Sequence, residues 1–177
     1  MDKQLLETQI AQYPVCEYAW LKPEDVPFLE QVRYICKTEC PRYGTSWSCP
    51  PAVGTVDECR ERCSQYDGLF LFTTMEEVTD ISDLQETLRT RKAHEAITRQ
   101  VAKFMGEQSS ELLILSTESC ANCEICSYPD GPCRNPEIMF PCIESYGILV
   151  TELAEKYGIT FLSGGNVVVW FSLIFYR

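Results

Sequence analysis

Two hydrophobic rhythms run along this chain, and they predict different elements. Residues 3–12 read as a short helix within an N-terminal arm, residues 1–15. Gly68 to Thr74 (Gly-Leu-Phe-Leu-Phe-Thr-Thr) is short, apolar and aromatic, which predicts a buried strand. Ser82 and Gln85 form a capping-box pattern. The helix they open carries Leu84, Leu88, Ile97, Val101, Phe104 and Met105 at helical spacing, and Gly106 ends it. Glu111 to Thr117 contains Leu-Leu-Ile-Leu and predicts a second buried strand. Strand, helix and strand in this order predict a β-α-β unit, two parallel strands joined by a right-handed crossover. Cys142 to Lys156 predicts a helix despite Gly147, with Gly158 as its stop. Gly164-Gly165-Asn166 reads as a turn, and Val167 to Tyr176 as a final strand.

These elements describe one α/β domain over residues 1–177, with a mixed sheet and two cysteine-rich loop insertions at residues 36–63 and 120–142. The insertions carry the chemistry. Cys120, Cys123 and Cys126 stand at two-residue spacing, and Cys133 follows in a short segment rich in proline. Three thiols so spaced converge on one metal centre from a single tight turn. Iron–sulfur proteins use this run with a more distant fourth cysteine, whereas zinc more often takes two separated pairs. The spacing favours a [4Fe–4S] cluster, with zinc as the alternative.

Cys36, Cys40 and Cys49 form a second group, in a stretch rich in Pro, Gly, Ser and Thr that reads as an ordered loop. Thr55 and Glu58 make a capping box, and the helix behind it carries Cys59 and Cys63 on one face. Cys59 lies near the positive end of the helix dipole, which favours a thiolate. Cys59 is therefore the expected fourth ligand of this group, with Cys63 in reserve. The alternative is that both are buried small hydrophobes. The order along the chain allows the two groups to sit at opposite ends of the sheet, unless the helix of Cys59 brings the first group round.

Composition narrows the setting. Eleven cysteines in 177 residues would suggest disulfides in a secreted chain. The start Met1-Asp2-Lys3-Gln4-Leu5-Leu6-Glu7 has no basic region and no apolar signal core, and an odd count leaves one thiol over. Cytoplasmic localisation, metal ligation and an anaerobic or microaerobic host are the expectations. No segment is long and apolar enough to cross a membrane. The formal net charge of −11 argues against unaided nucleic-acid binding. It suits steering toward a basic redox partner, or simple solubility. His94, the only histidine, is expected as an exposed or packed residue rather than a ligand. No Walker-type loop, nucleotide fingerprint or HExxH motif is present. Oligomeric state stays open, although a terminal strand could extend a sheet across a homodimer.

The pattern Cys-x3-Cys-Pro-x-Tyr-Gly-x2-Trp-x-Cys-Pro-Pro, then Glu58-Cys59, then Cys-x2-Cys-x2-Cys-x6-Cys-Arg and Pro136, resembles the "predicted metal-binding" proteins of domain-of-unknown-function family 2284. The resemblance runs from about Cys36 to the C-terminus and includes Glu144-Ser145-Tyr146-Gly147-Ile148. It implies metal binding, iron–sulfur in kind, in proteins found mostly in anaerobes and often encoded beside corrinoid methyl-transfer systems. It supplies no catalytic residue. Cys16, Cys63 and Cys142 do not match the shared pattern.

Three functions follow. The first is an electron-transfer or redox-accessory protein with two [4Fe–4S] clusters. The second is an enzyme with one open-iron cluster, acting on a sulfur compound or activating a corrinoid partner. The third is a structural zinc protein used for interaction.

Overall fold

Apolar residues at both parities of a strand require cover on both faces of the sheet. Strand β2 (Gly68–Glu77) sends Leu69 and Leu71 to one face and Phe70 and Phe72 to the other, and all four are fully buried. In the computed structural model, which describes residues 1–177, β2 sits in a four-stranded sheet ordered β1-β2-β4-β3. Here β1 is Tyr18–Leu21, β3 is Leu112–Ser116 and β4 is Val167–Tyr176.

Helices α1 (Lys3–Ile10) and α4 (Leu84–Gly106) cover one face. They pack Leu6, Ile10, Val101 and Met105 against Phe70, Phe72 and Ile174. Helices α3 (Val56–Ser64) and α5 (Val150–Tyr157) cover the other, with Val56, Leu153 and Tyr146 against Leu71, Leu173 and Phe175. Each fully buried Phe or Leu contributes about 1.5–3 kcal/mol over its exposed state.

The sheet departs from the expected mixed pairing. Every ladder is antiparallel. β2 and β3 do run in the same direction with α4 between them, but β4 lies between the two and bonds both. Pairing with all ten residues of β2 gives β4 a longer ladder than β3 could offer. β4 is therefore an interior strand with no free edge, which removes the expected route to a dimer through it. The edges are β1 and β3.

Other boundaries shift for local reasons. The cap of α4 is Asp83, not Ser82: its carboxylate accepts from the Gln85 N–H at 2.9 Å and the Glu86 N–H at 3.1 Å. The helix expected over 142–156 is cut, because Gly147 adopts a left-handed φ of 79° after a 3-10 turn at Glu144–Tyr146. Only α5 continues, and Gly158 stops it with φ 66° as expected. Helix α2 (Glu30–Glu39) and the short edge strand β1 have no counterpart in the sequence reading. The Thr55–Glu58 capping box forms as expected at the head of α3.

A buried polar chain pins α4 to the sheet. His94 Nδ1 meets Thr74 Oγ1 at 2.8 Å, and its Nε2 meets Ser172 Oγ at 2.8 Å. Thr98 Oγ1 lies 2.8 Å from the same serine hydroxyl. His94 is fully buried, and burial pushes its pKa down to about 4, so it is neutral. Beyond this pin, the C-terminal end of β3 meets the middle of β4, where Thr117 donates its N–H to Phe171 O at 3.2 Å. The cysteine loops gather at this rim.

Candidate metal centre

Cys36 and Cys40 are four residues apart, so a helix presents them on one side. α2 runs to Glu39, leaving Cys40 as its C-cap just before Pro41, which ends the helix there. The stretch expected as loop throughout thus begins as helix. Cys49 closes the following turn, its N–H bonded to Ser46 O at 3.2 Å. Cys36, Cys40 and Cys49 line one cavity of about 370 Å³ at the sheet rim, floored by Trp170 and Phe171.

The fourth cysteine on this cavity is Cys142, not Cys59. Cys59 is fully buried on the inner face of α3, in the core formed with Val56, Tyr146 and Phe171. Its Sγ lies 3.5 Å from Val53 O and 3.9 Å from the Arg33 guanidinium. Burial raises its pKa, with Arg33 and Arg62 opposing. The capping box forms, but the face of α3 that carries Cys59 and Cys63 is its core face. Glu144 also lines the cavity, and the Cys142 thiol donates to its Oε2 at 2.9 Å.

The fold also gathers the second group. Cys120, Cys123, Cys126 and Cys133 all line one tight cavity of about 20 Å³. Hydrogen bonds hold the sulfurs. Asn122 N–H donates to Cys120 Sγ at 3.5 Å, and Asn135 Nδ2 donates to Cys123 Sγ at 3.4 Å. Burial pushes against ionisation of Cys126, but the N–H groups of Tyr128, Trp47 and Ser127 and the Ser46 hydroxyl outweigh it, and its pKa falls. Arg134 donates to Ile125 O at 2.9 Å and so braces the loop.

The two groups are neighbours, not at opposite ends of the sheet. The turn Ser46–Cys49 is their common wall. Ser46 and Trp47 line the second cavity, while Cys49 lines the first. The Ser48 hydroxyl accepts from Cys120 N–H at 2.8 Å, and Ser48 O accepts from Cys142 N–H at 3.0 Å. Trp47 donates its indole N–H to Gly131 O at 3.0 Å and meets the Tyr128 ring edge-on, centroids 5.0 Å apart. The Arg99 guanidinium lies over the Phe140 ring, 5.2 Å from its centroid.

Thiols in the first cavity resist ionisation as they stand. Burial, then the nearby Cys40 and Glu144, pushes Cys36 up to about 11. Burial also raises Cys49, against hydroxyl donors from Ser119 and Ser48, and raises Cys142 further beside Glu144. A bound metal is what ionises such thiols. Two sets of four soft donors, each around its own cavity, fit thiolate-ligated metal. No three Cys, His, Asp or Glu side chains stand close enough to hold a single metal ion. Cys16 is exposed and near neither cavity, and Cys63 is buried in the core with Cys59. No helix is long and apolar enough to cross a membrane.

A family model described as "Predicted metal-binding protein (DUF2284)" matches residues 19–176. No curated protein and no solved structure matches the chain.

Proposed function

The chain belongs to the DUF2284 family of predicted metal-binding proteins, and on that premise we propose that it is a redox protein holding two [4Fe–4S] clusters. Cys120, Cys123, Cys126 and Cys133 hold one; Cys36, Cys40 and Cys49 hold the other with a fourth thiolate. The observation that carries this reading is the pair of four-cysteine cavities sharing the single turn Ser46–Cys49. Four thiolates on one tetrahedral zinc stand about 3.8 Å apart, given Zn–S bonds near 2.3 Å. A cubane places iron and sulfide between its ligands and spaces them wider, and the cysteine spacing Cys-x2-Cys-x2-Cys with a more distant fourth is the one such clusters use.

Bound clusters supply one-electron chemistry at potentials set by hydrogen bonds, burial and charge. The residues set those terms. N–H groups at Asn122, Tyr128, Trp47 and Ser127 spread the negative charge of the second group's sulfurs. Trp47 and Tyr128 cover the outer side of that loop. The shared wall keeps the two groups one residue apart at Ser48, a short path for an electron. The negative surface recruits a basic redox partner in the cytoplasm of an anaerobe, a corrinoid methyl-transfer enzyme among the candidates.

A second reading has one observation in its favour. The first cavity is far larger than the second, and the Arg42 guanidinium at its side makes no hydrogen bond or ion pair, only the Arg42 carbonyl being engaged, by Thr45. An open iron there, with Arg42 to meet an anionic sulfur compound, would make the protein an enzyme.

Iron, acid-labile sulfide and zinc per chain, measured on protein purified without air, test the proposal. The two-cluster reading expects about eight irons with matching sulfide. Zinc without sulfide would sink it and leave a structural module.

A further inference from the structure

The sequence offers Cys59 as the fourth ligand of the first cysteine group, whereas the fold brings another cysteine to that cavity from a distant stretch of the chain. We propose that Cys142, positioned by Glu144, is the fourth thiolate ligand of the Cys36–Cys40–Cys49 site, and that Cys59 is a core residue. The inference rests on the metal-binding reading above and deepens it.

Four observations converge. Cys142 lines the same cavity as Cys36, Cys40 and Cys49, and Cys59 does not. The backbone of Cys142 is fixed on three sides. Its N–H bonds Ser48 O at 3.0 Å, next to Cys49 in sequence, and its O accepts from Ser145 N–H at 3.1 Å. A parallel bridge ties it to Ser116 at the end of β3, through Ser116 N–H to Pro141 O and Ile143 N–H to Ser116 O, each 3.0 Å. A ligand carried on so well-tied a segment is held in place before metal arrives, which a soft-metal site rewards.

The Cys142 side chain is also held toward the cavity. Before metal binds, its thiol donates to the Glu144 carboxylate at 2.9 Å; that carboxylate itself lines the cavity and is placed to take the proton that ligation releases. Glu144 comes round again to the first group through its backbone, with the Cys36 thiol 3.9 Å from Glu144 O. Cys59, by contrast, is 0% exposed among Val56, Tyr146 and Phe171, and would have to leave the core to reach the other three.

The donor set thus crosses the sequence: three thiolates from residues before β2 and one from a residue after β3. Ligation at Cys142 would tie α2, the Ser46–Cys49 turn and the β3 rim into one unit, so loading the first site would order the wall it shares with the second.

The test is the full chain purified without air, as wild type, Cys142→Ser, Cys59→Ser and Glu144→Gln. Iron, sulfide, EPR of the dithionite-reduced protein and far-UV circular dichroism are the readouts. Cys59→Ser is expected to keep wild-type iron and spectrum. Cys142→Ser is expected to lose about half the iron, or to keep it with altered g-values from an oxygen ligand, while the second cluster's signal stays. Glu144→Gln leaves the fold intact and shifts the midpoint potential of one cluster only, which tests the placement should Cys142→Ser fail to fold. Loss of half the iron in Cys59→Ser with Cys142→Ser unchanged would overturn the inference and leave two clusters standing. A Glu144→Gln variant with both potentials unmoved would also count against it. If wild type binds iron for one cluster only, and Cys142→Ser abolishes it, the inference holds and the two-cluster reading fails.

Discussion

Cys126 and His94 illustrate how little of a residue's role lies in its type. Cys126 is held below the usual thiol range by surrounding N–H and hydroxyl donors, two of them from Ser46 and Trp47 in the other cysteine group. Cys126→Ala should therefore lower iron from about eight to about four per chain and leave the first cluster's EPR signal. His94 is buried and neutral with pKa about 4, against about 6.5 when unfolded. Between those values the unfolded chain binds the extra proton, so stability is full above pH 6.5 and falls as pH drops toward 4. The loss is on the order of 3 kcal/mol. Urea unfolding at pH 7 and pH 5 should show it, and His94→Gln should flatten that dependence; an unchanged slope would refute the assignment.

At the scale of elements, legibility followed burial. β2 and β4 are buried on both faces, so their unbroken apolar runs were readable. α2 was not, because only Val32 in it is buried while Tyr34 and Ile35 face solvent. β1 is four residues long and sits at an edge, too short for a pattern. The pairing of β4 between β2 and β3 is set by long-range ladders that no local window contains. The break at Gly147 does have a local cause. A side chain there would meet Val56 Cγ2 at 2.9 Å and Leu29 O at 3.2 Å, on a backbone already left-handed. Gly147→Ala should cost about 1–3 kcal/mol. For a chain of this length that lowers Tm by roughly 2–10 °C in a thermal melt.

The same contrast decides the site. Cys120, Cys123, Cys126 and Cys133 were legible because their convergence is local to one loop. Of the four cysteines that line the first cavity, the sequence pointed to three. Cys142 reaches it through the bridge to Ser116 and the bond to Ser48, both products of the completed fold. Cys59 had the right local signals, a cap and a helix start, but its side of α3 is the side the sheet covers.

Across the whole molecule, charge and proximity govern how electrons would arrive and move. The net charge of −11 should draw cationic donors. Reduction by reduced methyl viologen, followed by stopped flow, should slow several-fold between low salt and 0.5 M salt, with screening lengths falling well below 10 Å. A neutral donor should show no such dependence. Once one cluster is reduced, the shared Ser46–Cys49 wall should make the second sense it.

The two proposed iron–sulfur clusters lie side by side across that wall. EPR of the fully reduced wild-type protein tests this arrangement most directly. Two adjacent paramagnetic clusters should give a broadened, split spectrum integrating to about two spins per chain, which collapses to a simple signal in Cys126→Ala. A wild-type spectrum that is the plain sum of two independent signals, or no iron signal at all, would contradict it.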